Sequence, residues 1–164
     1  MKKLSLVVLA LTLASSVMLG QLKKGGMAIT TSIAPAGAIG GAYALSESMR
    51  LNVGLNFGSV SPGGGANSVT NFGVGAGVWM YQSAMESVTM FYGGGLSFGS
   101  TSSGGVSSSN FGLEADLGAE YWFSPRFAWA GYVGFGFSSA SSGGVSSSNF
   151  GTLGVNQSLT WWFN

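Results

Sequence analysis

Two stretches of this chain, Ser102–Gly112 and Ser141–Gly151, read the same eleven residues, SSGGVSSSNFG, and start 39 residues apart. The closing Asn-Phe-Gly occurs a third time at 71–73, again 39 residues upstream, at the end of a degenerate copy that spans Ser61–Gly73. Turn-forming clusters recur at nearly the same spacing between these copies: Ser46-Glu47-Ser48, Ser83–Ser87 and Ser124-Pro125-Arg126. A unit with one long Gly/Ser-rich connection and one short turn is a β-hairpin, so the chain is an array of hairpins. A β-solenoid would need shorter coils with glycines at fixed ladder positions, and the glycines here do not recur that way.

Between the connections, residues alternate. In 110–123, Phe111, Leu113, Ala115, Leu117, Ala119, Tyr121 and Phe123 share one face, and Gly112, Glu114, Asp116, Gly118, Glu120 and Trp122 share the other. Strict alternation of this length marks a strand with two chemically different faces. The same reading sets Leu51, Val53, Leu55 and Phe57 against Arg50, Asn52, Gly54 and Asn56. In the last segment, Leu153, Val155, Leu159, Trp161 and Phe163 oppose Thr152, Gly154, Asn156, Ser158, Thr160 and Trp162. Segments 71–82 and 88–99 alternate less cleanly because glycines interrupt them, on both faces in 88–99. The pattern predicts eight strands over 26–33, 38–45, 49–58, 71–82, 88–99, 110–123, 127–138 and 150–163, with Pro35-Ala36-Gly37 joining the first two.

Which face looks out is decided by charge. Only 7% of the residues are charged while 46% are hydrophobic, and a water-facing surface is normally far richer in charge. Beyond residue 22 there is no run of about 18 apolar residues, as a membrane helix requires. High apolarity spread over alternating strands leaves a closed barrel, the other structure that satisfies its backbone in lipid. The aromatic residues agree. The tryptophans lie near the short turns or the C-terminus, and Phe57, Phe72, Phe98, Phe111, Phe135, Phe137 and Phe150 flank the Gly/Ser stretches. Ten tilted residues rise roughly 25 Å, the spacing of the two aromatic girdles of a membrane barrel. Trp79, Tyr121, Trp129, Trp161 and Phe163 are assigned to the girdle on this basis. The apolar face then meets lipid, and Arg50, Glu114, Asp116 and Glu120 form a polar network in the lumen. An even strand count puts both termini on the short-turn side, with 59–70, 100–109 and 139–149 as outward loops.

Residues 1–20 read as a secretory signal, with Lys2-Lys3 before the apolar Leu4–Leu13 and a small-x-small site at Ala14-Ser15-Ser16. The barrel is then 21–164. Its four basic and five acidic residues give no basic patch for nucleic acid.

With eight alternating strands, short turns and a last segment Leu159-Thr160-Trp161-Trp162-Phe163, the mature chain resembles the small outer-membrane barrels of the OmpX and OmpA transmembrane-domain type. The resemblance implies an all-β, eight-stranded antiparallel up-and-down transmembrane β-barrel in a bacterial outer membrane. It also implies that Leu159, Trp161 and Phe163 act as the C-terminal signal read by the assembly machinery. Gln157 and the terminal Asn164 depart from that signal.

Chemistry is scarce. There is no histidine to activate a serine nucleophile and no cysteine. Gly73–Gly77 and Gly93–Gly95 lack the Lys-Ser/Thr of a phosphate loop, so no cofactor or metal is expected. Glu114, Asp116 and Glu120 share a face and could in principle divide acid and base roles, but a polar lumen explains them more simply. The Gly/Ser loops are candidates for a surface ligand but read more simply as solvated connectors, the two SSGGVSSS copies having no charge and one apolar residue each, Val106 and Val145. The sequence thus points to a non-enzymatic barrel with a structural or surface-interaction role. A narrow pore for small or apolar solutes and a lipid-modifying enzyme of unfamiliar, histidine-free mechanism are the alternatives.

Overall fold

The computed structural model describes residues 22–34, 38–61, 67–85 and 87–163. The signal segment, the Pro35–Gly37 connection and Asn164 lie outside them. Eight antiparallel strands, β1 (Met27–Ala34), β2 (Ala38–Ser46), β3 (Met49–Val60), β4 (Val69–Met85), β5 (Val88–Ser103), β6 (Val106–Ser124), β7 (Phe127–Ser142) and β8 (Val145–Trp162), pair in sequence order. β8 closes on β1, from Ala28↔Trp162 to Ala34↔Gln157, so the sheet is a barrel.

On the short-turn side the connections are tight. The Ser46 and Ser124 hydroxyls accept hydrogen bonds from the backbone N–H groups of Ser48 and Arg126 at 3.2 and 3.3 Å. Such side-chain bonds replace the ladder where the chain reverses. Leu22, ahead of β1, is buried and belongs to the same core cluster as Ala44 and Trp162.

The opposite side corrects the expected loops. Residues 100–109 and 139–149 are not long connectors: the strands run on to Ser103 and Ser142 and turn over Gly104-Gly105 and Gly143-Gly144. Both glycines of each pair have positive φ, 58° and 80° in one and 56° and 83° in the other. This is the two-residue turn whose twist matches that of the flanking strands. The SSGGVSSS repeat is therefore a serine-rich hairpin tip held in the β ladder, with pairs such as Ser102↔Ser107 and Ser141↔Ser146. Of 59–70, Ser59-Val60 and Val69-Thr70 are also strand, and residues 62–66 lie outside the described ones.

A second correction concerns β8. Gly134 faces Gly154, but Phe135 faces Thr152, so Leu153 is an extra residue and Gly154 takes a φ of 135°. A bulge of one residue reverses the face of everything beyond it. Thr152, assigned inward by alternation, consequently shares the outer face with Phe135, and Phe150 pairs with Phe137 outside.

The outer face of the strands is apolar. Met27, Ile29, Ile39, Leu55, Phe72, Leu96, Leu117, Phe135, Val155 and Trp161 are all exposed there. Among the described residues, no charged side chain lies on the outward face of a strand; Lys23, Lys24, Glu47 and Arg126 sit at the short-turn end, outside the strands.

Candidate functional site

The lumen holds every charge the strands carry. Arg50 and Glu120 lie near the turn end of β3 and β6, both essentially fully buried, and Arg50 Nη1 donates to Glu120 Oε1 at 2.8 Å. The guanidinium also lies 4.3 Å from the ring centroid of Trp79 and 5.4 Å from that of Tyr81. Three carbons of stem and a planar, weakly hydrated head let arginine stack on aromatics while its edge keeps a carboxylate partner.

Trp79 is the assigned girdle residue that the structure places elsewhere. It faces Arg50 and Gly93 in register, points inward and is only 6% exposed. Its indole Nε1–H donates to Asp116 Oδ2 at 3.0 Å. The ring stacks on Phe91 at 4.1 Å between centroids and meets Tyr132 edge-on at 4.9 Å. Gly93 permits this, since a Cβ there would strike the Val78 carbonyl and sit 2.6 Å from Trp79 Cδ1. Gly118 plays the same part for Phe91 and Tyr132, whose atoms would lie 2.7 and 2.5 Å from its Cβ. Glycine opposite an aromatic ring lets the ring lie flat across the sheet. Reading Gly73, Gly75, Gly77, Trp79 and Tyr81 as one continuous face would have found this orientation. Tyr81 and Phe91 also lie inside, the first beyond Gly73–Gly77 on β4 and the second beside Gly93–Gly95 on β5.

The other girdle residues, Tyr121, Trp129, Trp161 and Phe163, lie exposed on the outer face. Near the turn end a chain of rings runs Tyr121–Phe123–Phe127–Trp161, with centroids 4.9, 5.4 and 5.7 Å apart. Leu159 is half-buried and faces Trp129, and Trp161 faces Phe127, in the β7–β8 ladder.

Trp122 and Trp162 face inward at the base of the lumen, their rings 6.3 Å apart, and Trp122 Nε1–H donates to Thr89 Oγ1 at 2.9 Å. With Arg50, Glu120, Tyr81 and Phe91 they fill the turn end. Above this plug is a cavity of about 180 Å³ walled by Gly54, Gly75, Gly77 and Gly95 and by Asn52, Trp79, Glu114, Asp116, Tyr132 and Ser158. Of the four lumen residues named from sequence, Arg50 and Glu120 are thus brought together, and Arg50 lines the cavity along with Glu114 and Asp116. Among the described residues, no three His, Cys, Asp or Glu side chains are grouped to hold a metal ion.

No family model matches the chain, and no curated protein matches it either.

Proposed function

We propose that this barrel spans a bacterial outer membrane as a non-conducting, non-enzymatic envelope protein with a structural or surface-interaction role. One observation carries the reading: a closed barrel that exposes apolar side chains all round its wall and keeps its strand charges inside. In water that arrangement would leave a very large apolar surface solvated, whereas in lipid it removes the surface from water and satisfies the backbone. The ring chain at Tyr121, Phe123, Phe127 and Trp161 and the Phe98–Phe111 pair, 4.9 Å apart, support two aromatic girdles. Tyr121 and Phe111 are ten residues apart on β6, which matches the height of the apolar band.

The aromatic and ionic plug at the turn end speaks against the pore, because an eight-stranded interior is narrow enough for side chains to fill. Export through the signal segment 1–20 and insertion by the outer-membrane assembly machinery complete the proposal. The serine-rich hairpin tips of β5–β6 and β7–β8 are then the outward surface. Fractionation of an expressing Gram-negative cell, followed by planar-bilayer recording of the purified protein, tests both halves. Urea-resistant recovery in outer membranes and a silent bilayer are expected. Recovery in the soluble fraction would refute the membrane reading, and discrete current steps would replace the scaffold with a pore.

A further inference from the structure

The charges of the lumen do not balance. Among the described residues one arginine faces three carboxylates, and its Nη1 is engaged by Glu120 at 2.8 Å. Arg50 also lines the cavity, but its ion pair is with Glu120, and the two carboxylates Glu114 and Asp116 exceed the single charge it supplies. They are two residues apart on one face of β6, so their backbones lie about 7 Å apart along the strand. Asp116 is 6% exposed, and its Oδ2 is held by Trp79 while Oδ1 has no hydrogen-bond partner. A second, uncharged group on another strand is in the same state: Ser158 of β8 is 7% exposed, lines the cavity, and its Oγ is unpartnered. Buried polar atoms are normally paired, and a buried carboxylate oxygen is among the costliest to leave unmade.

We propose that this cavity is a binding site for a small primary ammonium compound. Its N–H groups would satisfy Asp116 Oδ1 and Ser158 Oγ, and its charge would offset Asp116 and Glu114. A quaternary ammonium has no N–H to donate, and an anion would face two uncompensated carboxylates. The walls accept the rest of such a molecule. Tyr132 lines the cavity and offers aromatic surface to a cation and its alkyl chain, whereas the faces of Trp79 are taken by Phe91 and Arg50. Since an apolar cavity of about 150 Å³ holds benzene, the space here suits about six to eight heavy atoms. The inference goes beyond the scaffold reading and does not depend on which membrane surrounds the wall.

The Trp79 indole N–H, which donates to Asp116, is the reporter. The whole barrel, refolded in a phosphocholine detergent, is titrated by NMR with butylammonium, tetramethylammonium, butyrate, Ca²⁺ and an ethanolamine lysolipid. Butylammonium is expected to move the assigned Trp79 resonance saturably, and tetramethylammonium and butyrate to leave it in place. Asp116→Asn should weaken the binding about tenfold or more. Gly54→Leu fills the cavity with both carboxylates intact, and its Cβ meets nothing within 4 Å, so the barrel should fold and binding should vanish. A matching shift from the lysolipid would identify a lipid headgroup as source, and its absence a free amine. The proposal is overturned by no saturable response to butylammonium, by unchanged affinity in both folded variants, or by Ca²⁺ binding in its place.

Discussion

Arg50→Met is the substitution with the largest calculable cost. Arg50 and Glu120 are 1% and 0% exposed and 2.8 Å apart, so at an effective dielectric of about 20 their attraction is about 6 kcal/mol before desolvation. Removing the cation leaves Glu120 buried and unpaired, a change that typically costs about 3–5 kcal/mol. Loss of the stacking over Trp79, at 4.3 Å, adds about 1 kcal/mol. The single variant should therefore lose about 4–6 kcal/mol, enough to unfold a marginal barrel. The double variant Arg50→Met/Glu120→Leu should regain most of it, because apolar groups of similar volume often replace a buried ion pair at little net cost. Recovery stays partial, since Asp116 and Glu114 lose the field of the arginine. Reversible urea unfolding in lipid vesicles, followed by the heat-modifiable gel shift, measures all three proteins. An Arg50→Met barrel within about 1 kcal/mol of the parent would refute the reasoning, as would costs that add within about 0.5 kcal/mol in the double variant.

Two glycines that face each other across β7 and β8 should behave oppositely. A Cβ at Gly136 would strike the Leu113 carbonyl and lie 2.8 Å from Glu114 Cα, whereas at Gly151 it meets nothing within 4 Å. Gly136→Ala should lower the yield of refolded barrel sharply and Gly151→Ala should not; equal yields would contradict the packing. Truncation after Ser158 removes the β8 residues paired with Thr31, Thr30, Ile29 and Ala28, so in the proposed membrane setting an open edge would face lipid. No protease-resistant barrel should accumulate in outer membranes, and normal levels would show that closure does not depend on these residues.

The sequence by itself determined the strand count, the alternation of 110–123 and the inward parity of Arg50, Glu114, Asp116 and Glu120. Alternation is a local property with a period of two, and it needs no knowledge of neighbouring strands. The hairpin repeat was equally legible, because duplicated residues carry their turn with them. Where glycine filled the inner face of 71–82 and both faces of 88–99, the parity of Trp79 and Phe91 was lost, since a residue without a side chain marks neither face. The length of the Gly/Ser connections was misread for a related reason: polar serines look like loop, yet outside the apolar band a ladder can be polar on both faces. Only the tertiary structure decided that Arg50 pairs with Glu120 and not with Glu114 or Asp116. That choice joins β3 to β6 across the lumen, seventy residues apart. It is set by the register of a closed sheet and by which strands face one another, and neither property is local to any segment of the chain.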